Sequence, residues 1–287
     1  MSGLLKNRLK SVASTFSDFL AKHVLDDLLL AYLMCRVSLR VLGRSKRDSF
    51  LRSIWSDRTD LPMFIVRHLP SGLRHRWALY RWLALTSKWE PAVMAYLSQT
   101  HGRLFVDVGA NIGVYCVKLQ NNYQRIIAIE ADPNIYGELK KFCPVNCRAL
   151  NVVASSGERR IKFYRSEEST NLGVGSMFSP SERQKWNPTW TLAGQKFSEV
   201  ILPAASLSEI LEEEKNIDMI KVDVEGAEWM VLEGAEAIMP RVERWLIELH
   251  QSNMKSRMEA RMRRFGYTSC RWIDANHVVF GRVKCTT

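Results

Sequence analysis

Apolar positions along this chain follow short unbroken runs that give way to helical spacings, and the changeovers mark where chemistry collects. Residues 104–108 are apolar apart from Asp107, and they meet Gly109 and Gly113 before a helical pattern resumes. Such a run predicts a buried parallel strand turning sharply into a helix, with glycines letting the backbone pass close to a ligand. Residues 124–129 repeat the strand pattern and end in Glu130; Asp132 and Pro133 then supply a cap and first residue for another helix. Further strands are predicted at 148–154, 161–164, 219–224 and 245–250, with a helix over 229–239. Residues 267–272 and 277–283, separated by Asp274, Ala275 and Asn276, predict an antiparallel hairpin. Strands alternating with helices specify an α/β fold with a doubly wound, mostly parallel sheet, here closed by the hairpin.

Between the strands lies a long polar stretch, 166–197, with Gly173, Gly175, Pro180, Pro188, Trp186 and Trp190. A loop of that length inside a compact domain is usually functional, and a substrate lid is expected. Before residue 88 the pattern is helical. Leu5, Leu9, Val12, Phe16 and Phe19 recur at spacings of four and three, with Lys6 and Lys10 off that face. The division expected is a basic, mainly helical extension over 1–87 and an α/β domain over 88–287.

The turn after the first strand has the pattern D-x-G-x-x-x-G, which is neither the dinucleotide G-x-G-x-x-G nor a phosphate-binding P-loop. An acid at the tip of the second strand, Glu130, suits two ribose hydroxyls and repels phosphate. S-adenosyl-L-methionine meets both conditions, being cationic at sulfur and free of phosphate, and Asp107 can face its charged amino-acid end.

Residues 217–228 read IDMIKVDVEGAE and continue WMVLEGAEAIM. Here the chain resembles the FkbM-type methyltransferases, through Lys221, Asp223, Glu225, Gly226, Ala227 and Glu228, with Leu232 and Gly234 following. The resemblance extends through DVGANIG, IEADP, LPAASLSEIL and LIELH, from about residue 88 to the C-terminus. Ser206-Leu207-Ser208 departs from it, standing where the family has Leu-Asp-Asp. The resemblance implies a seven-stranded Rossmann-like methyltransferase fold and methylation of a hydroxyl on a sugar, glycolipid or similar natural product. The expected cofactor contacts are Asp107, Gly109, Ala110, Asn111, Gly113, Glu130, Ala131, Ser155 and Asp223.

Side chains alternate along a strand, so Lys221, Asp223 and Glu225 share one side while the chain stays extended, as do Glu248 and His250. The candidate catalytic groups are Asp223, His250 and Glu225. His250, at an ordinary pKa near 6.5, can take a hydroxyl proton unassisted. Asp223 is the alternative, directly or with Glu248 as a ligand of a divalent metal such as Mg2+. Lys221 is expected to pair with Asp223 or Glu248, and Glu228 to sit in the first turn of its helix.

Charge changes the picture of partners. Residues 1–100 hold 16 Lys or Arg against 7 Asp or Glu, a balance of +9, and the remainder of the chain's +11 is only +2. The basic amphipathic stripe and the Arg-Trp-rich segment 67–82 suit an anionic membrane surface bearing a glycan- or lipid-linked acceptor. The basic N-terminal hundred residues also suggest RNA, and an RNA ribose 2'-O-methyltransferase is the competing reading, ranked second because no RNA-binding module is recognisable. Val24 to Leu42 is broken by Asp26, Asp27, Arg36 and Arg40, so a spanning helix is not expected, nor is a secretory signal. Six cysteines without a C-x-x-C pair read as free thiols of a cytoplasmic protein, peripheral at most to the membrane. A homodimer remains an open alternative.

Overall fold

The computed structural model of the 287-residue chain describes residues 90–167, 174–186 and 196–282. The extension 1–87, with its apolar stripe, its Arg-Trp segment and the interrupted run 24–42, lies outside the described residues, as does much of the stretch 166–197. Contacts divide the chain into two units, Met1–Trp89 and Glu90–Thr287. Within the second, α1 (Pro91–Leu97) leads into β1 (Gly102–Val108), α2 (Val114–Leu119), β2 (Tyr123–Glu130), α3 (Pro133–Phe142) and β3 (Cys147–Asn151). Next come β4 (Val153–Ser155), β5 (Arg160–Ser166), α4 (Pro180–Trp186), β6 (Phe197–Ser206) and α5 (Leu207–Ile210). The chain closes with β7 (Ile217–Val222), α6 (Glu228–Gly234), β8 (Val242–Glu248), α7 (Lys255–Arg264), β9 (Ser269–Trp272) and β10 (His277–Gly281).

Seven strands form the central sheet in the order β3-β2-β1-β7-β8-β10-β9. β1 pairs in parallel with β2 and β7, β7 in parallel with β8, and β10 runs antiparallel to both β8 and β9. The predicted α/β architecture, with its antiparallel C-terminal hairpin, is therefore the observed one. Strand order reverses between β1 and β7, and beyond the carboxyl ends of strands at such a switch point a doubly wound sheet leaves a crevice for ligands. Phe105, Val106, Ile220, Val222, Trp245 and Ile247 are fully buried there, so the strand tips are carried on a close-packed base.

Three elements differ from expectation. Residues 148–154 are two strands: β3 joins the main sheet, while β4 pairs with β6 in a second, three-stranded sheet of order β4-β6-β5. The helix expected over 229–239 stops at Gly234, where a Cβ would fall 2.0 Å from the Ser155 carbonyl oxygen, and a 3-10 turn containing Pro240 follows. α7 buries Met258 and Met262 four apart on a largely basic helix, too thin a stripe to stand out in sequence. At the family departure, Ser206 caps α5: its hydroxyl accepts the Glu209 N–H at 3.1 Å, while Glu209 accepts the Ser206 N–H at 2.9 Å. A capping box thus stands where the family pattern has Leu-Asp-Asp. No helix among the described residues is long and apolar enough to cross a membrane.

Candidate active site at the tips of β1, β2, β7 and β8

The turn after β1 is built from left-handed backbone. Gly109, Asn111 and Gly113 have φ of 81°, 50° and 86°. The amides of Gly109 and Ala110 both donate to the Ile129 carbonyl, at 2.9 and 3.0 Å, tying the turn to the end of β2. A Cβ on Gly109 would lie 1.7 Å from the Asp223 carbonyl oxygen, so the turns after β1 and β7 touch backbone to backbone and position 109 admits glycine alone. Asn111 closes the turn on itself, its Oδ1 accepting the Ile112 N–H at 2.8 Å.

Glu130 ends β2 with its carboxylate spread across this turn. Its Oε2 accepts the Asn111 N–H and its Oε1 the Asp132 N–H, each at 2.8 Å. Burial pushes its pKa up to about 7, against the opposing pull of those amides. Each oxygen keeps a second lone pair for an incoming hydroxyl. Ala110 is buried and Ala131 half-buried beside it. Ser155 does not join this group: it is fully buried on β4, and its hydroxyl lies 3.5 Å from the Ala205 carbonyl and 3.4 Å from the Gly157 amide.

The second half of the site surrounds Lys221. Asp107 and Lys221 are Cα partners in the β1–β7 ladder, and both are buried. The Lys221 ammonium lies 3.0 Å from Asp223 Oδ2, 3.9 Å from Asp107 Oδ1 and 4.6 Å above the centroid of the Tyr115 ring. Burial alone would lower the pKa of this lysine, but Asp223, Asp107, Glu90 and Glu248 together raise it above the ordinary value. Asp107 is lifted to about 6 by burial, with Lys221 pulling the other way. Asp223 is half-buried; desolvation pushes its pKa up, but Lys221 and His250 outweigh that and hold it below its ordinary value. The expected Lys221–Asp223 pair is present, whereas Glu248 engages histidines.

β7 ends at Val222 and the chain turns left-handed at Glu225 (φ 55°) and Gly226 (φ 102°). Glu225 meets a partner that strand-by-strand reasoning missed. Arg183, on α4 and fully buried, donates from Nη2 to Glu225 Oε2 at 2.6 Å and from Nη1 to the Val174 carbonyl. The Ser176 hydroxyl donates to the Glu225 carbonyl at 2.8 Å, and the Trp186 ring lies against Gly226 so closely that a Cβ there would come within 2.6 Å of it. The described part of the expected lid thus braces the turn after β7. Burial lifts Glu225 to about 7, opposed by His250 and Arg183.

His250 follows β8, and its surroundings overturn the expectation of an ordinary pKa. Nδ1 lies 2.8 Å from Glu228 Oε1, and Nε2 lies 3.6 Å from Glu225 Oε2 and 3.8 Å from Glu248 Oε1. Burial would lower its pKa, but Glu228, Glu225 and Glu248 outweigh that and raise it well above 6.5. That direction favours the protonated ring, whose positive charge faces Glu225, Glu228 and Glu248. Glu228 does more than face a helix dipole: it also accepts the Gly226 N–H at 2.8 Å. The predicted pair Asp223 and Glu248 are neighbours, and each also belongs to a three-residue set of candidate ligands. Asp223 groups with Glu225 and His250, and Glu248 with Glu90 and His277, each set bringing ligand atoms within 4.8 Å of one another.

Replacing Glu130 with glutamine removes the charge while nearly preserving shape. Cofactor affinity is expected to fall at least about tenfold, since each charge-assisted hydrogen bond is worth roughly 1.5–3 kcal/mol. Ribose hydroxyls favour the ionised carboxylate, so wild-type affinity should rise as pH passes through about 7. Calorimetry between pH 6 and 8.5 checks both effects; a step near 7 that survives in E130Q would remove Glu130 from the contact.

The methyltransferase FkbM domain model matches residues 107–269. No curated protein matches the sequence. Similar solved structures include a methyltransferase FkbM from Methylobacillus flagellatus KT, at 14% identity and TM-score 0.42, covering 77% of this chain and 57% of that one. TrmK of M. capricolum, solved with S-adenosyl-homocysteine, is 10% identical at TM-score 0.37, covering 67% and 68%. Precorrin-6y C5,15-methyltransferase of Geobacter metallireducens is 12% identical at TM-score 0.39, covering 69% and 89%. The chain thus spans a little over half the length of the first of these.

Proposed function

Because this chain belongs to the FkbM methyltransferase family, we propose that it methylates a hydroxyl group of a sugar, glycolipid or related natural product, with S-adenosyl-L-methionine as donor. One observation carries the choice of oxygen as acceptor: Asp223, Glu225 and Glu248 converge with Lys221 and His250 at the tips of β7 and β8. That array can receive a proton and hold a polyhydroxylated ligand.

The residues at the turn fit the donor. Asp107 Oδ1 is buried with no hydrogen-bond partner among the described residues, a place suited to an ammonium group. Glu130 offers lone pairs to ribose hydroxyls, and no cationic side chain among the described residues bonds to it as a phosphate cradle would require. When bound, S-adenosyl-L-methionine supplies a sulfonium methyl that a hydroxyl oxygen can attack, the carbon–sulfur bond breaking as the oxygen–carbon bond forms. Glu225, lifted to about 7, receives the proton the hydroxyl loses. Asp223, kept ionised by Lys221, accepts a hydrogen bond from the acceptor and orients it. His250 and Arg183 balance the charge on Glu225 through the transfer. Glycan fractions incubated with radiolabelled donor test the reading. Label in an alkali-stable methyl ether supports it; label on nitrogen, carbon or RNA alone contradicts it.

The basic segment 1–87 is proposed to bring the protein to an anionic surface carrying the acceptor. Its support is the +9 balance over residues 1–100 and the apolar stripe from Leu5 to Phe19. Each basic group near such a surface contributes about 1 kcal/mol. Full-length protein should float with anionic liposomes and be released by high salt. Equal flotation of a chain starting at Ser87, or none by either, would exclude this role.

A further inference from the structure

Glu248 faces two histidines, one on each carboxylate oxygen, and only one of them belongs to the site above. Its Oε1 lies 3.8 Å from His250 Nε2; its Oε2 lies 3.4 Å from His277 Nε2. His277 Nε2 is also 3.6 Å from Glu90 Oε2. These distances exceed a normal hydrogen bond, and His277 Nε2 is buried with no hydrogen-bond partner among the described residues. The residue is only 5% exposed, so an orphaned imidazole nitrogen points into a pair of carboxylates within the protein.

We propose that Glu90, Glu248 and His277 hold a divalent transition-metal ion of the zinc or manganese class, one carboxylate removed from the acceptor site. Bonds of about 2.1 Å meeting near the tetrahedral angle set donor atoms about 3.4 Å apart, close to the observed separations. The scaffold is already ordered. Glu248 and His277 are direct Cα partners across the β8–β10 ladder, so their spacing is set by the sheet. His277 Nδ1 lies 2.9 Å from both oxygens of Asp274, whose Oδ1 is itself fixed by the amides of Asn276 and His277. A carboxylate on the far nitrogen is the usual support of a ligating histidine, turning Nε2 and its lone pair toward the metal. The Tyr115 hydroxyl donates to Glu90 Oε2, the oxygen that faces His277, and so restrains the third ligand. One imidazole with two carboxylates suits zinc or manganese better than magnesium, which prefers oxygen and water alone. An ion here neutralises Glu90 and Glu248 and fixes the Glu248 oxygen that faces His250.

The test needs no acceptor, so its outcome is separate from that of the methyl-transfer reading. Full-length protein is stripped with chelator and titrated with Co2+ followed by visible absorption, and with Mn2+ followed by the loss of free-ion paramagnetic resonance. Wild type should take up one tightly bound ion, and H277Q and E90Q should each weaken it at least tenfold, while H250Q stays within about threefold. Circular dichroism checks that each variant is folded; if H277Q is not, E90Q carries the test. No uptake by wild type, unchanged affinity in folded H277Q and E90Q, or loss in H250Q alone would overturn the assignment; the last would move the ion to Asp223, Glu225 and His250.

Discussion

Replacing Lys221 with methionine should lower the unfolding free energy at pH 7 by about 3–5 kcal/mol, the usual cost of removing one partner from a buried ion pair. Methionine keeps most of the aliphatic volume, so the effect isolates the charge. In the wild type the ammonium sits between Asp107 and Asp223, at 3.9 and 3.0 Å, with 1% of the residue exposed. Without it the buried Asp107 and the half-buried Asp223 lose the cation they share. The sign of the pH dependence follows from linkage. The lysine's folded pKa is raised, so its stabilisation is fully present below the unfolded value and is lost only as pH climbs through the higher folded one. In the variant both aspartates titrate higher when folded than when unfolded, so the folded state takes up protons. Its deficit should therefore shrink as pH falls from 7 toward 5. Urea unfolding across that range measures both, and equal stability of the two proteins at pH 7 would show that the ammonium is not the compensating charge.

Glu225→Gln should reduce kcat on the true acceptor by about 10²- to 10⁴-fold while leaving cofactor affinity within a few-fold. The wild-type rate should rise with pH through about 7 as the carboxyl, raised by burial, gives up its proton; that limb should vanish in the variant. Asp223 cannot produce the limb, because Lys221 keeps it ionised below neutrality. Glutamine retains an acceptor for the Arg183 guanidinium, 2.6 Å away, so the brace from α4 to the turn survives. A variant with near-normal kcat and an intact limb would place the base elsewhere.

The parts of the site legible in the sequence are those built by neighbours along the chain. Asp107, Gly109 and Gly113 advertise a strand-to-helix turn because apolar runs and glycines report local backbone directly. Glu130 could be placed because a strand end carries its last side chain to a predictable tip. The Lys221–Asp223 pair was readable from strand periodicity for the same reason. Contacts between distant segments left no such mark. Arg183 is 42 residues from Glu225, and in the sequence it is one basic residue of a polar stretch. His250 showed its identity, but not the three carboxylates that raise its pKa. β6 was obscured because it follows that stretch and buries residues such as Leu202 and Ala204 mainly in its second half. The close approach of Gly234 to the Ser155 carbonyl is another such long-range contact, and nothing in either local sequence announces it.

Calorimetric titration of the full chain with S-adenosyl-homocysteine tests the central claim most directly, because it requires neither the acceptor nor a variant. A site formed by Asp107, Gly109 and Glu130 predicts saturable binding of one ligand per chain with micromolar Kd, about 8 kcal/mol of binding free energy. Absence of saturable binding up to millimolar ligand, in protein shown to be folded, would contradict the account.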